Sequence, residues 1–318
     1  MRICRGEATI KWPEEPAPTR LLPVDLCVLG YGLVLSALWL PFAGSSATAR
    51  WYLVFHGVLL AIPVFLLLRD PNSPSGRRLG LLREIYPLLL MAVFWPELGA
   101  HYRVAGAVSH DALAALVEQT LFGGQPSLAW SSIAPAKWIQ TLMEAAYLAY
   151  FLVLIGVPVW ILGSGRREAV RELVLYTCVV YLGCFLVYAA YPVLGPFQFF
   201  GIASAGLPQS SLQQAEAAIR TSGDSLGTAF PSSHVAGCVA FAFLAFRWAP
   251  RWAGWASAVT AALNCLAVVY THHHYAIDAL AGLVLGLAAG TGMLATRAGP
   301  HGGRPDIGLW KVSRHGHP

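Results

Sequence analysis

The chain has 318 residues, of which 56% are hydrophobic and only 12% are charged. A soluble domain carries about 25% charged residues, so the composition argues against a water-soluble protein and predicts a polytopic membrane protein. The formal net charge of +5 indicates no nucleic-acid partner, because membrane topology accounts for the basic residues. The six cysteines have no C-x-x-C spacing and predict neither a disulfide framework nor a zinc site.

Eight apolar segments are candidates to cross a membrane, since a spanning helix needs about twenty mostly apolar residues. They are Val24–Phe42, Trp51–Leu68, Glu84–Gly99, Trp138–Leu162, Arg171–Leu194, Ala229–Trp248, Trp252–Tyr270 and Tyr275–Thr296. The third segment is short and contains Pro87, Pro96 and Glu97. The sequence therefore predicts an all-α membrane bundle of about eight transmembrane helices.

The distribution of Lys and Arg sets the predicted orientation. Seventeen of the 21 Lys and Arg residues lie at the two termini and in the loops on the same side, and four lie in the opposite loops. By the positive-inside rule, both termini are expected in the cytoplasm. A missing or additional span would scramble this alternation, so the charge count also supports eight spans.

Two external segments have the pattern of short amphipathic helices, which lie in the headgroup plane. In residues 110–123, apolar side chains recur at helical spacing, and Asp111 occupies the first turn, where negative charge suits the helix dipole. The second segment is Ser210–Arg220. Each segment either caps the bundle or forms a lid over a lipid-binding cleft, and the sequence leaves both alternatives open.

A first polar cluster, Phe230-Pro231-Ser232-Ser233-His234, opens the sixth span at the predicted external interface. Ser at a helix start is a good N-cap, and helix N-termini bind anions such as phosphate. A protonated His234 beside that anion would act as an acid. Alone, however, Pro-Ser before an apolar helix is an ordinary helix start, so Ser232 and Ser233 are phosphate-binding candidates only in combination with other groups.

A second polar cluster, Thr271–Asp278, lies in the tight turn before the eighth span, at the same predicted depth. His274 and Asp278 are four residues apart and share a face if both are helical. The carboxylate would then fix the imidazole tautomer and leave the other nitrogen as a nucleophile or base. Polar side chains at membrane depth are functional candidates by default, and the co-location of the two clusters strengthens the hypothesis. Three consecutive histidines cannot all point at one ion, so neither a metal nor another cofactor is expected.

The motifs resemble those of the type-2 phosphatidic acid phosphatase superfamily, over roughly residues 83–290. More narrowly, Phe230–His234 and His274–Asp278, followed by Gly282, are similar to the inositol phosphorylceramide synthase-like branch. Residues 121–127, 144–150 and 191–196 also resemble that branch. The resemblance implies a six-helix catalytic core, with His274 as nucleophile, Asp278 as its partner, His234 as acid and the Ser232 region as phosphate site.

The sequence departs from the superfamily pattern at its two phosphate-binding arginines. Gly195-Pro196 is followed by Phe197 and Gln198, and Val268 stands six residues before His274. Arg is the natural bidentate phosphate ligand, so other groups must replace it. The external candidates are His272, His273, Arg220 and Lys137.

The candidates for the acceptor site are Glu144, Tyr147 and Gln198. Glu144 lies within the fourth span, about two turns from its external end, near Tyr147 and Tyr150. It either binds an acceptor hydroxyl or is a structural carboxylate bonded to a tyrosine, and both alternatives stay open.

The expected protein is a metal-independent lipid phosphotransferase or phosphatase that works through a phosphohistidine at the external face, most simply of a bacterial plasma membrane. Its donor is a membrane phospholipid, and its acceptor is an alcohol, an inositol-like compound, a lipid or water. The alternatives are a lipid transporter or scramblase, and a catalytically silent family member. The expected organisation is an N-terminal segment with two extra helices (1–82), a catalytic membrane domain (83–296) and a cytoplasmic tail (297–318). The sequence does not fix the oligomeric state.

Overall fold

The computed structural model describes residues 21–67, 74–202, 211–212, 214–215, 218–219 and 225–295. Eleven α-helices and a short 3₁₀ helix, Leu40–Phe42, lie completely within this part of the chain, and no β-strand occurs in it. The α-helices are α1 (Pro23–Trp39), α2 (Ala47–Leu67), α3 (Pro74–Ala105), α4 (Asp111–Phe122), α5 (Pro126–Ile133), α6 (Lys137–Gly163), α7 (Arg167–Ala190), α8 (Pro196–Phe199), α9 (Ser233–Trp248), α10 (Arg251–Tyr270) and α11 (Ala276–Ala295). The prediction of an all-α fold is confirmed.

Each of the eight predicted spans coincides with one helix, namely α1, α2, α3, α6, α7, α9, α10 and α11. Among the described residues, five helical segments are long and apolar enough to cross a membrane: Pro23–Phe42, Lys137–Gly163, Arg167–Ala190, Arg251–Tyr270 and Ala276–Ala295. Helix α9 is also apolar but has only 16 residues. The chain is therefore a polytopic helical membrane protein. Its predicted cytoplasmic termini lie outside the described residues.

Helix α9 lies at the centre of the bundle and packs against α6, α7, α10 and α11. Twelve of its sixteen residues are buried, many of them Ala, Gly or other small residues that let helices approach closely in a membrane. Gly282 of α11 shows how close this approach is, because a Cβ there would lie 2.3 Å from the carbonyl oxygen of Ser232. Glycine at this position thus brings the start of α11 against the turn before α9, where the two histidine clusters lie.

A buried ion pair ties α1 to α3. The Arg83 guanidinium donates to both carboxylate oxygens of Asp25, and the Tyr86 hydroxyl donates to Oδ1 of the same carboxylate at 2.7 Å. Asp25 and Arg83 are both almost completely buried. Arg83 and Tyr86 together donate three hydrogen bonds to Asp25 and so compensate a charge that would otherwise be costly in this surrounding.

A second buried cluster joins α1, α2 and α3. The Trp39 indole donates to Oε1 of Glu97 at 2.7 Å, and Nε2 of His56 lies 2.9 Å from the same oxygen. Glu97 thus joins Trp39 and His56 and connects the three helices. Side chains of α1 and α2 also belong to the main hydrophobic core. The boundary near residue 82 between the extra helices and a catalytic domain stays a prediction.

Candidate active site

Two histidines from distant segments face each other near one end of α9. His234 is the second residue of α9, and His274 precedes α11 by two residues. Nε2 of His274 lies 3.4 Å from Nδ1 of His234. The two polar clusters, forty residues apart in sequence, therefore meet in one site.

The His274 ring is oriented by a backbone carbonyl as well as by Asp278. Its Nδ1 lies 2.8 Å from the carbonyl oxygen of Ala229 and 3.6 Å from Oδ2 of Asp278. A carbonyl can only accept, so Nδ1 carries the proton and Nε2 keeps a lone pair directed at His234. The sequence suggested Asp278 as the orienting group, but His274 lies before the helix begins, and Ala229 is the nearer partner.

Asp278 itself is fully buried and holds the loop around His274. Its Oδ2 accepts a hydrogen bond from the N–H of Tyr275 at 2.8 Å, and its carbonyl accepts one from the N–H of Ser232 at 2.9 Å. Asp278 thus connects the His274 loop to the turn before α9. This second connection involves backbone atoms and is not visible in the spacing of the side chains.

Aromatic rings surround His234 on its other side. The Tyr147 hydroxyl lies 3.4 Å from Nε2 of His234, and the Tyr150 ring centroid lies 4.5 Å from that of His234. The His273 ring stacks on Tyr147 at 4.1 Å, while its Nδ1 lies 2.9 Å from the Thr271 hydroxyl. Two successive turns of α6 therefore form the wall behind the candidate acid.

A small cavity of about 30 Å³ opens at the paired histidines. A volume of this size holds about one water molecule. The cavity is lined by Trp95, Leu194, Gln198, Ser225, Thr228, Ala229, His234, His273 and His274. No Lys or Arg occurs among these described lining residues, so the groups that face the candidate nucleophile are neutral donors, acceptors and imidazoles.

The loop before α8 is held against the histidine loop by Asp111 at the start of α4. The Asp111 carboxylate accepts hydrogen bonds from the N–H groups of Leu194 at 2.8 Å and Gly195 at 2.9 Å, and from the Tyr275 hydroxyl at 3.2 Å. Gly195 has a φ of +94°, and a Cβ there would lie 2.6 Å from the carbonyl oxygen of His273. Both the backbone conformation and the close approach require glycine.

Glu118, two turns further along α4, caps the N-terminus of α11. Its Oε1 accepts hydrogen bonds from the N–H groups of Ala276 and Ile277. Burial raises the pKa of this carboxyl to about 7, although both hydrogen bonds act in the opposite direction. Helix α4, expected either to cap the bundle or to form a lid, thus touches the loops on both sides of the cavity through Asp111 and Glu118. Only the dipole role of Asp111 was visible in the sequence.

The backbone N–H groups of the turn before α9 are hydrogen-bonded to other groups of the protein. Ser232 is the N-cap, and its hydroxyl accepts from the N–H of Val235 at 3.4 Å. The N–H of Ser233 donates to the Tyr188 hydroxyl at 3.1 Å, and that hydroxyl donates to the Pro231 carbonyl at 2.7 Å. The backbone N–H groups of Ser232 and Ser233 are therefore bonded to Asp278 and Tyr188 instead of facing a phosphate.

Some of the other predicted ligands line the cavity and others do not. Gln198 and His273 line it, whereas His272 and Glu144 are buried and do not belong to its described lining. His272 holds α8 through its carbonyl, which accepts from the N–H of Phe197 at 3.0 Å. Arg220 lies outside the described residues, and the six described residues between 211 and 219 are helical.

Comparison with known proteins gives one family match. A family model described as the PAP2 superfamily matches residues 111–291, which is more than half of the chain. The matched range begins at Asp111 and includes both histidine segments. Neither the curated proteins nor the solved structures give a significant match.

Proposed function

The chain belongs to the PAP2 superfamily, and on this basis we propose that it is an integral-membrane lipid phosphotransferase or phosphatase that works through a phosphohistidine intermediate. The family indicates a membrane phosphatase or phosphotransferase; the intermediate, the donor and the acceptor are parts of the proposal. The observation that carries it is the pair of opposed imidazoles, with Nε2 of His274 at 3.4 Å from Nδ1 of His234 beside a cavity.

The geometry supports a two-step transfer. In the first step the lone pair of His274 Nε2 bonds to phosphorus, the bond from phosphorus to the leaving oxygen breaks, and the proton on His234 Nδ1 moves to that oxygen. In the second step the acceptor hydroxyl gives its proton to His234 Nδ1 while its oxygen bonds to phosphorus and the P–N bond breaks. Because the cavity holds about one water molecule, the two rings must move apart when a phosphate group binds.

The charge of the cavity favours a phosphodiester donor. A phosphomonoester carries up to two negative charges near neutral pH, and a phosphodiester carries one. Arginine is the usual partner of such oxyanions, but the described lining offers Gln198, hydroxyl groups and histidines instead. A donor with one negative charge is less dependent on a cationic site. This supports headgroup transfer, in agreement with the resemblance to the inositol phosphorylceramide synthase-like branch.

The proposed setting is the external face of the membrane, reached by the donor from the lipid. The support is the distribution of Lys and Arg, since seventeen of 21 lie on the side opposite the histidine clusters. Water as acceptor makes the protein a phosphatase, and an alcohol, inositol-like compound or lipid makes it a transferase. Gln198, which lines the cavity, is positioned to contact either the phosphate or the acceptor.

The test is a panel of defined phospholipids, both diesters and phosphatidic acid, supplied to the purified protein in lipid nanodiscs. Release of inorganic phosphate and transfer of the headgroup are measured for wild type, His274→Ala and His234→Ala. We expect loss of activity of at least about a hundredfold in both variants, as general acid–base and nucleophilic groups typically contribute this much or more. His101→Gln is the matched control, because His101 is a partly buried histidine of α3 whose ring packs against Trp39.

The outcomes separate the competing functions. Wild-type activity that survives both substitutions would rule out the proposed chemistry. Lipid movement between leaflets without any turnover across the panel would indicate a transporter or scramblase. Neither turnover nor movement would indicate a catalytically silent member. A donor carrying labelled phosphorus should also leave an acid-labile label on wild-type protein and none on His274→Ala.

A further inference from the structure

The hydroxyl of Tyr147 lies next to the histidine pair, on the side of His234 that faces away from His274. The His234 ring has one nitrogen on each side, with Nδ1 at 3.4 Å from Nε2 of His274 and Nε2 at 3.4 Å from the Tyr147 oxygen. Both separations are long for hydrogen bonds, which is common at catalytic sites before substrate binds. Tyr147 is buried with 3% of its surface exposed, so its hydroxyl is held in the wall of the site.

The functions of the two nitrogens of His234 follow from their neighbours. The Ala229 carbonyl, 2.8 Å from Nδ1 of His274, keeps the proton on that nitrogen and makes Nε2 of His274 the nucleophilic atom. Whatever group His274 attacks must therefore approach from the side of His234 Nδ1. The other nitrogen of His234, turned toward Tyr147, is remote from the reacting phosphorus.

We propose that Tyr147 is the positioning residue for His234. Its hydroxyl oxygen accepts a hydrogen bond from Nε2–H of the protonated ring, so that Nδ1 is the nitrogen that gives and takes the proton. This inference rests on the proposed function. It assigns Tyr147 to the acid, in contrast to the expectation from the sequence that Tyr147 binds the acceptor.

The proposed contact acts in both steps of the transfer. When Nδ1 gives its proton to the leaving oxygen, the neutral ring keeps its proton on Nε2 and remains bonded to Tyr147. When the acceptor hydroxyl returns a proton to Nδ1, the ring becomes an imidazolium, and the phenol oxygen stabilises it as an acceptor. The ring does not rotate between the steps, so Nδ1 stays directed at the reacting atoms.

Tyr150 provides a matched control on the same helix. Its ring also packs against His234, but its hydroxyl lies 2.7 Å from that of Tyr181 and takes part in a separate contact. Tyr150→Phe therefore removes a hydroxyl from the same wall without removing the group next to Nε2 of His234. A general effect of hydroxyl loss on packing would be similar in both variants.

The experiment compares two leaving groups on the same donor. The natural donor is whichever phospholipid of the panel wild type turns over, and its partner is the analogue in which p-nitrophenol replaces the leaving alcohol. A nitrophenolate leaves without protonation, so it does not need the acid. We expect Tyr147→Phe to lower kcat about tenfold on the natural donor, the effect of one hydrogen bond, with little change in KM and little change on the analogue.

Two results would overturn the assignment of Tyr147, and a third would overturn the proposed function. Equal losses on both donors would make Tyr147 a structural residue, and a rise of KM for the acceptor without any dependence on the leaving group would make it an acceptor ligand. Either result overturns the inference but not the proposed function. If His234→Ala shows no dependence on the leaving group, the proposed function fails instead.

If Tyr147→Phe does not fold, a second variant tests the same contact. Replacing Tyr147 by 3,5-difluorotyrosine keeps the shape of the side chain and makes its oxygen a weaker acceptor. We expect a smaller loss of kcat, again confined to the natural donor. Wild-type kcat on both donors would overturn the assignment.

Discussion

Glu118 is buried at the N-terminus of α11, and burial raises the pKa of its carboxyl from 4.5 to about 7. The folded protein therefore holds this proton more tightly than the unfolded chain. Stability from this group is highest below pH 4.5 and falls as the pH rises to about 7, above which it is constant. We predict that Glu118→Gln removes this dependence, because glutamine keeps an oxygen acceptor for the N–H of Ala276 and carries no charge.

The size of the effect follows from the difference between the two pKa values. Each unit corresponds to about 1.4 kcal/mol, so the carboxylate form destabilises the folded protein by about 3 kcal/mol relative to the protonated form. At roughly 2–4 °C per kcal/mol for a large domain, this corresponds to a change in Tm of roughly 6–12 °C between pH 4.5 and pH 8.

Thermal unfolding in detergent, followed at closely spaced pH values, measures this change. The quantity of interest is the Tm of Glu118→Gln minus that of wild type, which should rise with pH between 4.5 and 7 and then stay level. Glu168→Gln, which changes an exposed carboxyl in the first turn of α7, is the control and should show no such rise. A constant difference for Glu118→Gln, or the same rise in the control, would refute the reasoning.

Gly195→Ala should lower kcat by at least about tenfold, measured in the transfer assay, because its methyl group would collide with the His273 carbonyl at a φ that disfavours alanine; wild-type kcat would contradict this. Asp25→Ala should destabilise the protein by about 3–5 kcal/mol by leaving Arg83 buried and uncompensated, with kcat per folded molecule retained. An unchanged Tm would show that the pair does not stabilise the fold. Chelation of divalent metals should leave turnover unchanged, and a loss restored by a metal would contradict the metal-independent chemistry.

The helices of this protein were predictable because each long apolar run demands a helix in a membrane. All eight segments coincide with helices, including α3, where Pro87 and Pro96 lie inside a helix of 32 residues. The proximity of His234 and His274 was also predictable, because the distribution of Lys and Arg assigned both segments to the same side and depth of the membrane. Whether these residues carry the chemistry stays a prediction.

The support around the histidines was not predictable, because it consists of backbone atoms and long-range contacts. The spacing of His274 and Asp278 suggested a shared helix, yet α11 begins only at Ala276. The nearer partner is the Ala229 carbonyl, and no side-chain pattern marks a carbonyl as a ligand. Glu118 lies in the segment 110–123 that was predicted as an amphipathic helix, whereas its partner is an N–H group 158 residues further along the chain.

The contacts made by α4 have a consequence for biogenesis. Asp111 and Glu118 bind backbone groups near Gly195 and Ala276, so the site depends on three segments that leave the ribosome at widely separated times. Because His274 and α11 come last among the described residues, a chain that ends before residue 274 carries His234 but no opposing imidazole and no partner for Glu118. The histidine pair is therefore assembled only after α11 has been synthesised, so shorter nascent chains contain His234 without the imidazole that faces it.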